Sequence, residues 1–164
     1  MVTEYVRLRP YELARLRQLL VEYPDEAYDY VGDLQLGDED EEMSARGMDI
    51  DKAWAGLQDL LAKAGASVDV IGGGEPITEE VWGYDAPRLL SAEDVRAASR
   101  FFDETPFAVL ARHFVPAELT DANIEPPVWS EEWALEYLEQ NYTKLVELFR
   151  AAACDDEPIL VWGD

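Results

Sequence analysis

Apolar residues recur at strand and helix spacing along most of the chain, and they predict its main elements. Residues 2–8 alternate loosely between apolar and polar side chains, which is typical of a short strand. Leucines at helical spacing after Pro10 predict a helix that Pro24 ends. Residues 24–36 are expected to form a short helix or turn laid on the core. The apolar run 159–162 predicts a final strand.

Three further segments combine an apolar stripe with a helix start signal. Asp49 is expected to cap a helix that ends near Gly65. Ser91 opens a Ser-x-x-Asp capping box ahead of a second helix. Ser130 precedes the longest predicted helix. The apolar positions of the three helices are Ile50, Ala53, Trp54, Leu57, Leu60 and Leu61; Val95, Ala98, Phe101 and Phe102; and Ala134, Leu138, Tyr142, Leu145 and Phe149.

Shorter elements are expected between these helices. Residues 68–71 are interpreted as a strand, a helix is predicted from Thr105 to about Phe114, and Pro116 begins a short helical segment. No internal repeat and no domain boundary is visible. The pattern therefore predicts a single domain over residues 1–164 of the α+β class, helix-rich and with a small sheet of a few short strands.

Composition and charge narrow the function classes. Among 164 residues there are 36 acids and 13 Lys plus Arg, for a net charge of −23, while 48% are hydrophobic and 11% aromatic. That apolar content excludes a disordered acidic tail, and a single cysteine excludes a disulfide scaffold. A basic footprint for nucleic acid, a membrane span and a secretory signal are all absent from the sequence. We expect a cytoplasmic protein that binds neither nucleic acid nor membrane.

Acidic residues are concentrated between Glu22 and Asp51, where twelve acids stand against the single base Arg46. Residues 37–47 are predicted to form an exposed acidic loop, because charge runs of this kind are usually solvated. High negative charge speeds association with basic proteins and suppresses contact with nucleic acid. A basic protein is therefore the expected partner, and its expected contact residues are Asp38, Glu39, Asp40, Glu41 and Glu42.

Recognised catalytic and cofactor motifs are missing. Gly72 to Gly74 are followed by Glu75 and Pro76, which disfavours a phosphate cradle. His113 is the only histidine, so a zinc site lacks ligands, and no Gly-x-Ser-x-Gly accompanies it. Asp49 and Asp51 lack the remainder of an EF-hand loop. We expect no cofactor and no metal site, and the sequence favours a binding protein over an enzyme.

The aromatic residues fall into two groups. Trp54 and Trp133 are expected in the core, because they lie at helical spacing. Trp82 and Tyr84 lie in a stretch punctuated by glycine and proline, so a surface or cleft position is predicted for them. Arg88, close by, is expected to face a carboxylate or a bound anion.

The ordered set of these segments resembles the YfbM-like family of uncharacterised bacterial proteins over nearly the whole chain. Related sequences often carry His at the position of Gln58, and Gly-Tyr-Gly-Pro-Ala-Arg where this chain reads Gly83 to Arg88. The resemblance implies one α+β domain and no established activity. The segments that carry it are Met48 to Trp54 with Leu57, Leu60 and Leu61; Gly73 to Pro76; Gly83 to Arg96; Ile124, Pro126 and Trp129; and Tyr137, Leu138 and Tyr142.

Polar and aromatic residues from three matched segments make up a candidate ligand site. They would either line a polar cleft, serving an enzyme or a small-ligand binder, or form the joint where a helix start, two loops and the core meet. Beside the cleft stand two other hypotheses: an inhibitor- or immunity-like module for a basic protein, and a chain whose charge serves solubility alone. The candidate site residues are Asp49, Asp51, Lys52, Trp54, Glu75, Tyr84 and Arg88.

Overall fold

The computed structural model describes residues 1–37 and 46–164. Within them, five strands form one antiparallel sheet in the order β2-β1-β5-β4-β3. The first and last strands lie side by side at the centre, with Tyr5 opposite Val161. The strands are β1 (Thr3–Arg7), β2 (Gly47–Asp49), β3 (Glu75–Pro76), β4 (Arg88–Leu90) and β5 (Ile159–Gly163).

The described residues also form seven α-helices. Proline occupies the start of α1, α2 and α6, where the missing N–H has no helical partner to lose. The Ser91 hydroxyl accepts the N–H of Asp94 at 3.1 Å, which confirms the predicted cap of α4. The α+β prediction is confirmed. The helices are α1 (Pro10–Glu22), α2 (Pro24–Leu36), α3 (Trp54–Lys63), α4 (Ala92–Glu104), α5 (Phe107–Ala111), α6 (Pro116–Asp121) and α7 (Ala134–Cys154).

Helices cover both faces of the sheet. Because side chains alternate along a strand, Val6 and Leu160 face α1 and α2, whereas Tyr5 and Val161 face the layer that contains α3 and α7. The larger core lies on the second side, where Phe149 packs edge-on against Tyr5 with ring centroids 6.3 Å apart. Three of the seven predicted site residues, Asp51, Lys52 and Trp54, lie in a short 3-10 turn or at the start of α3 in this second layer.

Local hydrogen bonding explains where the predicted elements were wrong. Residues 68–71 form no strand, because the Asp69 carboxylate accepts the N–H groups of Ile71 and Gly72 and holds a turn. Asp49 belongs to β2, and its carboxylate accepts the N–H of Asp51 at 2.8 Å ahead of a short 3-10 turn. Helix α3 therefore begins later than expected, at Trp54. Helix α7 likewise begins at Ala134 rather than beside Ser130.

Two aromatic placements are also corrected. Trp82 is only 5% exposed and packs edge-on between Tyr28 and Trp162, so it belongs to the core and not to the surface. Trp133 is 49% exposed and lies edge-on against Tyr137, so it is outside the core. Tyr84 is exposed, as predicted. Helical spacing misled the prediction for Trp133, and the neighbouring glycine and proline misled the prediction for Trp82, because a turn can bury an aromatic ring as well as a helix can.

A buried cluster of charges joins the sheet to α1. Arg7, Glu12, Arg46 and Glu157 are each at most 6% exposed. Glu157 accepts from Arg7 Nε at 2.9 Å and from Arg46 Nη1 at 3.1 Å, and Arg46 also pairs with Glu12. The burial of Arg46 contradicts the exposure predicted for the end of the acidic loop. Residues 38–45 of that loop lie outside the described residues.

Candidate functional site

The seven predicted site residues are distributed over several places. Asp49 lies in β2 and Glu75 lies in β3, which are the opposite edges of the sheet. Four strand spacings separate those edges, or roughly 19 Å. Glu75 instead borders a hollow with Arg17 and Leu20 of α1. The structure therefore does not bring Glu75 together with Asp49.

Asp49 and Asp51 attach the end of the sheet to α7. The Tyr137 hydroxyl donates to Asp51 Oδ2 at 2.8 Å, and Lys144 Nζ donates to the Asp49 carbonyl at 3.3 Å. Burial, reinforced by the Asp51 carboxylate, raises the pKa of Tyr137 well above the ordinary tyrosine value. These contacts are those of a joint between β2, the 3-10 turn and α7.

Arg88 holds the glycine loop, residues 69–74, in place. Its Nη2 donates to the Ile71 carbonyl at 3.0 Å, its Nε donates to the Gly73 carbonyl at 3.1 Å, and its Nη1 pairs with Asp85. The other Asp85 oxygen accepts the N–H of Gly163 at 3.0 Å. All three guanidinium nitrogens thus donate within the protein, and the predicted carboxylate partner of Arg88 is Asp85.

The glycine loop already contains an anion of its own. Asp69 Oδ1 accepts the N–H groups of Ile71 at 3.1 Å and Gly72 at 2.8 Å, and Gln58 Nε2 donates to Asp69 Oδ2 at 3.2 Å. A phosphate would have to displace this carboxylate to reach the same donors. The backbone N–H groups of Ile71 and Gly72 are therefore already bound to the Asp69 carboxylate.

A groove follows the outer face of α3, and two predicted residues, Lys52 and Trp54, border it. Its floor consists of side chains one and two helical turns apart, at Trp54, Gln58 and Ala62. The segment 123–127 forms one wall, and the segment 66–70 borders α3 at a neighbouring hollow that shares Gln58 and Ala62. Three adjoining hollows make up this α3 groove, with volumes of about 210, 500 and 420 Å³.

Two charged side chains border the hollow at the Trp54 end of the α3 groove. Lys52 and Glu125 line it together with Met1, Trp54, Pro126 and Pro127. Glu125 and the Lys52 ammonium make no ion pair among the described residues. By contrast, Asp59 on the floor is paired with Lys63 at 2.8 Å.

Buried packing holds the 123–127 wall against α3. Trp129 is 1% exposed, and its indole N–H donates to the Ile124 carbonyl at 2.6 Å. Its ring lies directly over Gly56, on the inner side of α3. Sequence reasoning missed Gln58, Ala62 and Glu125 as groove residues. The available signal was a helix face of small and polar residues next to the Pro126-Pro127 segment.

Helix α2 carries an acidic surface on the other side of the molecule. Asp25, Glu26, Asp29 and Asp33 are exposed, and we call them the α2 acidic face. Large hydrophobic side chains are exposed around it. Of the nine exposed large hydrophobic residues in the described chain, five belong to α1, α2 or the residue between them: Tyr11, Val21, Tyr23, Tyr28 and Leu36.

Neither a metal centre nor a membrane span is found in residues 1–37 and 46–164. No three His, Cys, Asp or Glu side chains there are arranged to hold a metal ion. No helix there has the length and apolar character needed to cross a bilayer.

Comparison with known proteins identifies the type of domain. A family model described as a domain of unknown function (DUF1877) matches residues 1–162. The chain is also similar to the crystal structure of YfbM from Escherichia coli, described as a protein of unknown function, with 19% identity, 98% of each chain covered and a TM-score of 0.64. At that identity the likeness establishes the fold alone. No curated protein matches the chain. The resemblance to the YfbM-like family is confirmed.

Proposed function

The chain belongs to the DUF1877 family of domains of unknown function, and we propose that it is an acidic binding protein whose partner is a basic protein. The α2 acidic face is the proposed centre of the contact surface. Asp38, Glu39, Asp40, Glu41 and Glu42 are proposed to extend it on the strength of the sequence, since they lie outside the described residues. The observation that carries the proposal is the combination of uncompensated acid and exposed aromatic surface on α1 and α2.

The distribution of cations supports this proposal. Six of the chain's 13 Lys and Arg residues form ion pairs within the described residues. Two of these six, Arg7 and Arg46, are buried. The sequence has no Lys or Arg between Arg17 and Arg46, so α2 itself carries acids only. Its negative charge is therefore uncompensated along the helix and available to an external cation.

The spacing of the acids also has an energetic consequence. Asp25, Asp29 and Asp33 follow one another at four-residue intervals, so their carboxylates are neighbours on one stripe of α2. Like charges at this spacing destabilise a helix by roughly 0.2–0.5 kcal/mol per pair. A bound basic surface would relieve the repulsion, which favours a role for the stripe in binding.

Exposed aromatic side chains supply the second component of an interface. Tyr11 is 65% exposed, Tyr23 is 56% exposed and Tyr28 is 39% exposed. Tyrosine is enriched at protein interfaces, where it contributes apolar contact area together with a hydroxyl group. Tyr28 is fixed in place, because its hydroxyl donates to Asp164 Oδ2 at 3.0 Å and its ring packs on Trp82.

A single polar cleft is the alternative for the same chain, and it has less support. Glu75 lies at the far edge of the sheet from Asp49, and Arg88 is engaged by the glycine loop and Asp85. Tyr84 is exposed, and its N–H donates to the Gly163 carbonyl at 2.9 Å. Of the seven predicted site residues, only Lys52 and Trp54 border the α3 groove.

Two variants of equal charge test the proposal. One replaces Asp25, Asp29 and Asp33 by Asn on α2, and the control replaces Glu136, Glu139 and Glu147 by Gln on α7. Each removes three negative charges, so the net charge changes from −23 to −20 in both. Circular dichroism checks that both remain folded. The three proteins are used to capture proteins from a native lysate at low salt, and the recovered proteins are quantified by mass spectrometry.

A partner is identified by the difference between the variants. We expect a basic protein whose recovery falls at least about tenfold with the α2 variant and much less with the α7 control. Its affinity, measured with purified components, is expected to weaken as salt shortens the Debye length from about 10 Å to about 3 Å. Polylysine should bind both variants equally, because its binding depends on net charge alone. If no basic protein distinguishes the two variants, the α2 acidic face is not a binding surface.

A further inference from the structure

We propose that the α3 groove binds a small zwitterion of the amino-acid type that carries an apolar side chain. The proposal concerns a different surface from the α2 acidic face and does not depend on it. It rests on the shape of the groove, on the two charges at its Trp54 end and on the apolar lining that continues from them.

The shape of the groove is suited to a small molecule. The central hollow, floored by Trp54, Ala55, Gln58 and Ala62, has a volume of about 500 Å³. Ligand pockets typically measure about 300–1,000 Å³. The adjoining hollow that contains Lys52 and Glu125 measures about 420 Å³. The groove therefore has room for a charged head group at one end and a side chain along α3.

The charges define the head group. The exposed residues Lys52 and Glu125 line the same hollow as the half-buried Trp54. Because Lys52 and Glu125 form no ion pair within residues 1–37 and 46–164, their ammonium and carboxylate groups match a ligand that carries both opposite charges. Glu125 would accept from the ligand's ammonium group, and Lys52 would donate to its carboxylate. Charge-assisted hydrogen bonds of this kind are stronger than neutral ones.

The lining defines the remainder of the ligand. Beyond the head-group hollow, the groove is bounded by Ala55, Ala62 and Ile124 together with the polar Gln58 and Asn123, and Trp54 lies at its start. Its other carboxylates are already engaged, since Asp59 pairs with Lys63 and Asp69 is bound by Gln58 and backbone N–H groups. An aliphatic or aromatic side chain is therefore better matched to this part than a second charged group. Trp54 offers such a side chain an aromatic surface to pack against.

Three compounds of similar shape separate the contributions of the ligand's ammonium and carboxylate groups to binding. L-phenylalanine carries both charges, 2-phenylethylamine lacks the carboxylate, and 3-phenylpropionate lacks the ammonium. Binding is measured by isothermal titration calorimetry. We expect L-phenylalanine to bind at least about tenfold more tightly than either analogue, because each analogue loses one charge-assisted contact.

Variants locate the binding in the groove. Glu125→Gln is expected to weaken L-phenylalanine about tenfold and to leave 3-phenylpropionate unchanged, and Lys52→Met should weaken L-phenylalanine and leave 2-phenylethylamine unchanged. Ala62→Leu narrows the groove at an exposed helical position and should weaken all three compounds. The matched controls, Glu104→Gln on α4 and Ala117→Leu on α6, should change none of the affinities.

Two results would overturn the proposal. The first is no heat of binding and no thermal shift with L-phenylalanine or L-leucine up to about 10 mM, which lies beyond the affinity expected for a specific small-molecule site. The second is binding that the Glu125, Lys52 and Ala62 substitutions leave unchanged, which would locate it elsewhere on the protein. Because the α2 variant keeps the groove intact, it should bind L-phenylalanine as the wild-type protein does.

Discussion

Gly56 lies on the inner face of α3, where the helix meets the wall of the groove. A Cβ atom at this position would lie 2.5 Å from Trp129 Cη2 and 3.0 Å from Leu138 Cδ2. Ordinary contacts of this type are 3.4–4 Å, so the ring would have to move by roughly 1 Å in a packed interior. Trp129 and Leu138 are both fully buried, and the Trp129 indole is tethered to the Ile124 carbonyl. We therefore predict that Gly56→Ala destabilises the protein.

The size of the change in the free energy of unfolding follows from two opposing contributions. Replacing a helical glycine by alanine stabilises the helix by about 1 kcal/mol. Overpacking a well-packed interior costs about 1–3 kcal/mol. The steric cost prevails here, and we expect a net loss of about 1 kcal/mol in the free energy of unfolding. The matched substitution Gly32→Ala in α2, where no atom lies within 4 Å of the new Cβ, should stabilise the protein by about 0.5–1 kcal/mol.

Urea unfolding measures both effects. Circular dichroism and tryptophan fluorescence should give coincident transitions, which supports a two-state treatment. With a slope of about 2 kcal/mol per M urea, each kcal/mol moves the midpoint by roughly 0.5 M. The two substitutions are expected to shift the midpoint in opposite directions. A Gly56→Ala protein at least as stable as the wild type would refute the packing argument, whereas a Gly32→Ala protein with no gain would refute only the propensity argument.

Two further predictions concern buried polar groups. Arg46→Met should lower the free energy of unfolding by about 3–5 kcal/mol, because it leaves the carboxylates of Glu12 and Glu157 buried without that cation. The exposed Arg96→Met control, which breaks a surface pair with Asp156, should cost about 0–1 kcal/mol. If both cost the same in urea unfolding, the buried cluster does not stabilise the fold. Burial raises the pKa of Tyr142 to about 12 from its ordinary value of 10.0, so the folded chain retains a proton that the unfolded chain loses in that interval. Stability should therefore be complete below pH 10 and fall as the pH rises toward about 12. The urea midpoint is measured as a function of pH, and tyrosinate absorbance reports the ionisation. A midpoint that stays constant between pH 10 and about pH 12 would contradict the predicted loss of stability.

Local sequence pattern was sufficient to predict the long helices. Helices α1, α3, α4 and α7 carry apolar stripes within a single segment, so their existence is predicted from neighbours along the chain. The α+β class followed from the same pattern. The excess of acids and the absence of phosphate and zinc motifs are likewise properties of the sequence as it stands. These predictions needed no knowledge of which segments meet.

The strands and the candidate site depended on contacts between distant segments. Strands β2, β3 and β4 have two or three residues each, too few to show a period, and they exist because a partner supplies their hydrogen bonds. Strand order then places Asp49 and Glu75 at opposite edges, although the sequence analysis assigned both to one candidate site. The candidate site was therefore divided by topology.

The amino-acid sequence was enough to assign the long helices, the fold class and the net charge of −23. Where that charge is neutralised by ion pairs depends on the folded structure. Arg7 is buried with Glu157, 150 residues away, and Arg46 is buried with Glu12 and Glu157, whereas the exposed acids of α2 form no ion pair in the part of the chain that the structure describes. The folded structure also decided that Trp82 is inside, Trp133 is outside, and a groove follows α3. The physical reason is that burial and ion pairing depend on which surfaces meet after the chain has folded, and short-range periodicity carries no information about that meeting.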